Sequence, residues 1–114
     1  MTIEEIAINY LLAANVVGTD VYAEVPLDPP DKYVLVQRSS GSYQNELRHI
    51  GLYTEARCRT SKLEAAQLHE AVVAVMRSMR DHTPVFRCEL VSDYDAAMTS
   101  TKEYRYQALF EITL

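Results

Sequence analysis

Apolar residues recur at helical spacing in two segments, and the first of these lies at the start of the chain. Thr2 and Glu5 form a capping-box pattern that begins a helix, and Gly18 is placed to end it. The main apolar stripe of this helix is Ile3, Ile6, Ala7, Tyr10, Leu11 and Ala14. Ile8 and Leu12 lie off that stripe, which predicts a second burial partner for the helix.

The second helical segment begins at another capping-box pattern, Ser61 to Glu64. Its apolar stripe is Ala65, Leu68, Val72, Val75, Met76 and Met79. The pattern ends near Asp81 and His82, and Pro84 prevents the helix from continuing.

The remaining apolar residues form strand-like segments, most of them with alternating apolar and polar positions. These segments are 20–25, 33–38, 51–59, 85–91 and 103–114. The almost continuously apolar segment 33–38 predicts a strand that is covered on both faces, and polar stretches at 39–46 and 92–102 are interpreted as loops. The order α-β-β-β-α-β-β predicts one α+β domain over residues 1–114, with a largely antiparallel or mixed sheet of about five strands flanked by two helices.

Charged residues are predicted to form rows on the outward side of this sheet. The arginines are Arg57, Arg59, Arg87 and Arg105, and the glutamates that share their faces are Glu55, Glu89 and Glu111. Mixed signs on one face are typical of solvated cross-strand pairs. A charged contact surface between subunits and a phosphate-binding site remain alternatives.

Composition and charge narrow the function. With 114 residues, 48% hydrophobic and 24% charged, the chain is typical of a single globular domain. A net charge of −5 argues against sequence-independent nucleic-acid binding, which requires clustered Lys and Arg. The first segment carries glutamates where a signal peptide carries positive charge, and no apolar run approaches the roughly 18 residues of a membrane span. We therefore expect a soluble, intracellular protein.

The candidate chemistry is sparse. His69 and Glu70 resemble the start of a zinc-protease helix, but Val73 stands where the second ligand is needed, so a surface His-Glu pair is expected. Asp93 and Asp95 lack the remaining ligands of a calcium loop and favour a turn. His49 and His82 have ordinary positions beside a strand and after a helix.

Cys58 and Cys88 are the two cysteines, and each lies among alternating apolar residues. This pattern predicts buried reduced thiols, with neither a disulfide nor a zinc site. No catalytic, cofactor-binding or metal-binding residues are therefore assigned, and no enzyme activity is expected.

Several sequence segments, which together span nearly the whole chain, resemble one protein family. They are "VYAEVP", "YVLVQRSSG", "GLYTEARCRTSKLEAAQLHEAVVAVM" and "YRYQALFEITL". In this order, after a short N-terminal helix, they resemble the tail-terminator or tail-completion proteins of long-tailed bacteriophages, which are also described as minor capsid proteins.

The resemblance implies a small α+β subunit that forms a hexameric ring, ends the growing tail tube and joins it to the head without catalysis. It implies three kinds of partner: further copies of the chain, the tail tube protein, and head-completion or neck proteins. Neither a membrane nor a specific nucleic acid is among them. The protein would be located in the host cytoplasm during assembly and afterwards in the virion.

A candidate assembly surface follows from this interpretation. It comprises Ile8, Leu12, Ser40, Gly41, Ser42, Tyr43, Arg57 and Arg59. Residues 39–46 would be an assembly loop, with Tyr43 as an anchor, that becomes ordered on docking. The alternative for this segment is a surface loop without a partner.

Other functions stay open. A head-closure, neck or minor capsid component of the same particle would show a similar sequence. A small α+β ligand-binding module or enzyme, with a pocket between the second helix and the sheet, belongs to a different class.

Overall fold

A computed structural model describes residues 2–44, 47–79, 85, 87–96 and 103–114. The elements are α1 (Ile3–Ala13), β1 (Val21–Tyr22), β2 (Lys32–Gln44), β3 (Leu47–Cys58), α2 (Lys62–Ser78), β4 (Arg87–Asp95) and β5 (Tyr104–Thr113). Their order confirms the predicted α+β arrangement.

The strands form one five-stranded sheet in the order β1-β2-β3-β5-β4. β1 runs parallel to β2, and every other neighbouring pair is antiparallel, so the sheet is mixed as predicted. α1 packs on β1 and β2, α2 packs on β3, β5 and β4, and the two helices contact each other. Both helices therefore cover one face of the sheet, the helix face, and we call the opposite face the outer face.

The helices begin where the capping patterns predict. Thr2 Oγ1 accepts from the backbone N–H of Glu5, and the Glu5 side chain accepts from the backbone N–H of Thr2. Ser61 Oγ likewise accepts from the backbone N–H of Glu64 at the start of α2. The end of α1 differs from the prediction, because the helix stops at Ala13 and Gly18 belongs to the following turn.

The core lies between the helices and the sheet. Fully or nearly fully buried residues on both sides include Ile3, Ala7, Leu11, Val34, Val36, Ile50, Leu52, Ala56, Val72, Met76, Ala108, Phe110 and Ile112. Ile8 and Leu12 are half-buried and pack against this same core. None of the helices in the described residues is long and apolar enough to cross a membrane.

β2 is covered on both faces, as its continuous apolar run predicts. Val34 and Val36 join the core, while Tyr33 and Leu35, on the outer face, are each 1% exposed. The outer face around Tyr33 is therefore a second buried region of the subunit.

The polar segment 39–46 is not the loop that the sequence predicted. β2 continues to Gln44, and Ser40, Gly41, Ser42 and Tyr43 pair with β3 beyond a bulge at Ser39. Backbone hydrogen bonds form this ladder, so it needs no apolar side chains, and the partner strand outweighs the weak strand preference of serine and glycine. Residues 45 and 46 lie outside the described part of the chain.

The second polar stretch is also partly strand. β4 extends through Asp93 to Asp95 after a bulge at Val91, so the DxD sequence lies in a strand and not in a turn. β1, in contrast, is confined to Val21–Tyr22 and is shorter than predicted. The expectations for His82, Phe86 and residues 97–102 lie outside the described residues.

Candidate assembly surface

The structure distributes the predicted assembly residues over separate places. Ile8 and Leu12 lie on α1, on the helix face of the subunit. Residues 40–43 lie in the distal half of β2, which is residues 38–44, and Arg59 is exposed just after β3. Arg57 is only 8% exposed and lies on the outer face. The predicted residues therefore do not form one patch.

Arg57 is the centre of a buried cluster of charged side chains. Its Nε and Nη2 donate to Glu55 Oε2 at 2.9 and 2.6 Å, and its Nη1 donates to the Tyr33 hydroxyl at 3.1 Å. The guanidinium carbon also lies 5.7 Å from the centre of the Tyr33 ring. The prediction of solvated pairs on this face is therefore wrong for Arg57, because neighbouring side chains cover it.

Glu103 completes this cluster from the start of β5. Its Oε1 accepts from the Tyr33 hydroxyl at 3.2 Å and lies 3.4 Å from Arg57 Nη1 and 3.7 Å from Arg105 Nε. Arg57 and Arg105 stand directly opposite each other on β3 and β5. Like charges in that position repel, and the carboxylates of Glu55 and Glu103 offset the repulsion.

The protonation of Arg57 reflects this balance. Burial lowers the pKa of the guanidinium, but the hydrogen bonds with Glu55 and Tyr33 outweigh burial, and the net effect raises the pKa. Arg57 therefore stays charged, and its Nε, Nη1 and Nη2 atoms donate hydrogen bonds to groups inside the subunit. Glu103 was not among the predicted residues, although Glu55-Ala-Arg57 and Glu103-Tyr-Arg105 repeat the same Glu-x-Arg pattern on neighbouring strands.

On the outer face, beside the distal half of β2, lies an open trough of about 360 Å³ around Gly51. Its lining includes Ser39, Ser42, His49, Val91, Leu109 and Glu111. The bulge residues Ser39 and Val91 lie on either side, and increased strand twist at bulges explains the concave shape.

His49 is the one titratable nitrogen base in this lining. Its Nδ1 lies 3.3 Å from Thr113 Oγ1 and 3.5 Å from Glu111 Oε1. A nucleophile, base and orienting acid would use both ring nitrogens, whereas here both contacts fall on one. Among the described residues, His49 therefore does not bridge a nucleophile and an acid.

A polar cluster also lies at the start of α2. The Thr60 hydroxyl donates to Asp31 Oδ2 at 2.9 Å, and Cys58 Sγ lies 3.9 Å from both Asp31 Oδ2 and Glu64 Oε2. The ligand atoms of Asp31, Cys58 and Glu64 lie within 4.8 Å of one another, a spacing that would admit a metal ion. Hydrogen bonds inside the cluster and the positive N-terminal end of α2 already stabilise the carboxylates of Asp31 and Glu64. We therefore assign no metal here.

His69 is buried, which contradicts the predicted surface His-Glu pair. It is 3% exposed, and neither ring nitrogen has a hydrogen-bond partner among the described residues. Its ring lies 5.5 Å from that of Tyr106 on β5. Burial lowers the pKa of His69, while the carboxylates of Asp93 on β4 and Glu70 on α2 act in the opposite direction.

Acidification is therefore expected to destabilise the subunit through His69. The unfolded chain binds a proton at His69 near pH 6.5, and the folded state binds it only at lower pH. Above about pH 6.5, His69 is neutral in both states and does not lower the stability of the fold. Between about pH 6.5 and the lower folded-state pKa, each pH unit of acidification lowers the free energy of unfolding by about 1.4 kcal/mol. Denaturant titrations of the parent and of His69→Leu between pH 5 and 8 measure this slope.

The difference between the two proteins isolates His69 from the other histidines. The parent should lose more stability than His69→Leu as the pH falls. Equal slopes in the two proteins would contradict this account of His69.

The sheet also carries exposed apolar side chains and two edges. Val91 and Tyr94 on β4 are 57% and 51% exposed, and Leu27, after β1, is fully exposed. Within the described residues, β4 pairs with β5 alone, and β1 pairs only with Val34 and Leu35 of β2. Strand edges and exposed apolar side chains are features of surfaces that contact other chains.

Known proteins similar to this chain were found among solved structures. No protein-family model and no curated protein matches this chain. Among solved structures, the chain is similar to one from a "Virion of native gene transfer agent (GTA) particle", with a TM-score of 0.75 and 15% sequence identity. The match covers 94% of this chain and 90% of that chain. At this identity the likeness shows a shared fold.

Proposed function

We propose that this protein is a structural component of a phage-like particle. The fold that it shares over nearly its whole length with a chain of a gene transfer agent virion carries this proposal. The sequence resemblance to phage tail-terminator proteins points in the same direction. The buried Arg57 cluster and the position of His49 offer no arrangement for catalysis among the described residues.

Within such a particle, the proposed role is that of a tail terminator. Copies of the chain form a closed ring on the end of the tail tube, stop its growth and provide the surface to which the head binds. The protein acts in the host cytoplasm during assembly and stays at the head-tail junction of the virion. Its partners are other copies of itself, the tail tube protein and head-completion or neck proteins.

The shape of the subunit supports assembly by rigid surfaces. Residues 40–44 are already paired with β3, so this part of β2 has its strand conformation before any partner docks. This differs from the expected assembly loop that orders on docking, and it lowers the entropic cost of association. Ser40, Gly41, Ser42 and Tyr43 remain part of the proposed contact surface as an edge strand.

Polymerisation of the tail tube protein in vitro tests the terminator role. Adding this protein at a small fraction of the tube-protein concentration should shorten the tubes, and electron microscopy should show it at tube ends. Tubes of unchanged length without bound protein would contradict the terminator role. A ring that binds head or neck proteins but leaves tube growth unchanged would favour the head-closure alternative.

A further inference from the structure

The geometry points to a specific contact between copies: β4 of one subunit pairs with the distal half of β2 of the next, antiparallel, with Arg38 opposite Asp93. This inference rests on the proposed ring-forming function and identifies the surface that closes the ring. It is built from strand direction, backbone hydrogen-bonding pattern, register and charge.

Strand direction permits the pairing. β2 is antiparallel to β3, β3 to β5, and β5 to β4, so β2 and β4 run in opposite directions at the two ends of the sheet. A neighbouring copy whose sheet continues this one therefore presents β4 antiparallel to β2. Because different surfaces of the chain meet, the contact is heterologous and generates a ring when the rotation closes.

The backbone of β2 points outward at defined residues. The N–H of Val34 donates to the carbonyl of Asp20, on the β1 side, so alternate residues from Val34 direct their backbone groups away from β3. Arg38 is the last of these before the bulge at Ser39. After the bulge, the alternation places Gly41 and Tyr43 outward.

The backbone of β4 shows a matching pattern. The N–H of Ala96 donates to the carbonyl of Arg105, toward β5, so Asp93 directs its backbone groups away from β5. The bulge at Val91 shifts the alternation, and Leu90 and Cys88 are the next outward residues.

A single register satisfies both edges over this length. Arg38 opposite Asp93 also places Gly41 opposite Leu90 and Tyr43 opposite Cys88, because the bulges lie at equivalent positions of the two strands. Sliding the strands by two residues one way places Gly41 opposite Ser92, whose backbone groups are directed toward β5. Sliding them the other way places Arg38 opposite Val91, the bulge residue that falls outside the alternation of β4. The pattern of bulges therefore selects the register.

Charge supports the same register. Arg38 and Asp93 both lie on the helix face, where Arg38 Nη2 is 3.2 Å from Glu4 Oε1 and a third of its side chain is exposed. Asp93 is exposed on β4. An opposite-charge pair directly across two strands stabilises their pairing, so Arg38 and Asp93 favour a second copy as the occupant of this edge.

Disulfide trapping tests the register. Ser42 and Glu89 are exposed on the outer face and would stand opposite each other across the contact, at a position where the strands exchange no hydrogen bond. Mild oxidation of the variant Ser42→Cys, Glu89→Cys should give a ladder of covalent oligomers that ends at a closed ring. The matched control Ser42→Cys, Arg87→Cys is two residues out of register and should give little product.

The native cysteines interfere little with this experiment. Burial raises the pKa of Cys88 to about 11, so its thiol stays protonated, and Cys58 is fully buried. A ring in solution with no cross-linking above the control would overturn the inferred contact.

Charge reversal gives an independent test. Arg38→Glu or Asp93→Arg alone should raise the concentration at which rings form by about tenfold. The double variant should restore ring formation, and so should an equimolar mixture of the two single variants, because every contact in an alternating ring then joins opposite charges. Arg77→Glu on the exposed side of α2 is the charge-matched control, and thermal unfolding verifies that each variant is folded.

The outcomes separate the contact from the function. If Arg38→Glu and Asp93→Arg each form rings at the same concentration as the parent, the contact is overturned and the terminator role stands. Cross-linked rings that do not bind tail tubes support the contact and contradict the terminator role. A parent chain that stays monomeric with and without the tail tube protein, together with a Ser42→Cys, Glu89→Cys variant that forms no cross-links, overturns both.

Discussion

Replacing Arg57 with alanine is expected to lower the free energy of unfolding of the isolated subunit by about 3–5 kcal/mol. The substitution leaves the carboxylates of Glu55 and Glu103, whose side chains are each 12% exposed, without their shared cation. Removing one partner of a buried ion pair is costly because the remaining charge stays desolvated. Chemical denaturation measures the loss.

Arg59 provides the matched control. It is exposed two residues further along the chain, so Arg59→Ala should change the free energy of unfolding by no more than about 0.5 kcal/mol. Similar small effects for both variants would contradict the buried cluster. The comparison also separates stability from assembly. A destabilised Arg57→Ala variant would fail to assemble even if Arg57 contacts no neighbouring subunit.

Phe110→Ala is expected to have a comparable effect on the hydrophobic core. Phe110 is fully buried on β5, between Leu52 of β3 and Leu90 of β4. Truncating a buried phenylalanine removes apolar contacts and leaves a cavity, at a cost of about 3–5 kcal/mol. Since total stability is about 5–15 kcal/mol, we expect a large shift of the denaturation midpoint.

Leu109 is the control for Phe110. It precedes Phe110 on the same strand, is half-buried and points to the outer face, where its neighbours leave the open trough. Leu109→Ala should therefore cost clearly less than Phe110→Ala. Equal losses would show that the helix face does not hold the main core.

Side-chain periodicity predicted the elements that bury one face. β5 alternates between buried and less buried positions from Gln107 to Ile112, and α2 places Ala65, Leu68, Val72 and Met76 against the sheet. These patterns succeed because burial acts on side chains at the spacing of the element. The capping residues Thr2 and Ser61 located the helix starts for a similarly local reason.

The missed features depend on neighbours that the local sequence does not specify. Residues 40–44 and 93–95 lack an apolar pattern and are strands because a partner strand lies beside them. Arg57 is buried because β5 brings Glu103 alongside β3, and that strand order follows from tertiary packing. His69 is buried because α2 turns it toward Tyr106.

The solution mass of the purified chain tests the ring-forming account most directly. Light scattering on a size-exclusion column, over a range of protein concentration and salt and with and without the tail tube protein, would give the number of subunits. The account predicts a closed species of about six subunits, alone or with the tube protein, and no continuous series of larger polymers. A monomer under every condition, including with the tube protein added, would contradict it.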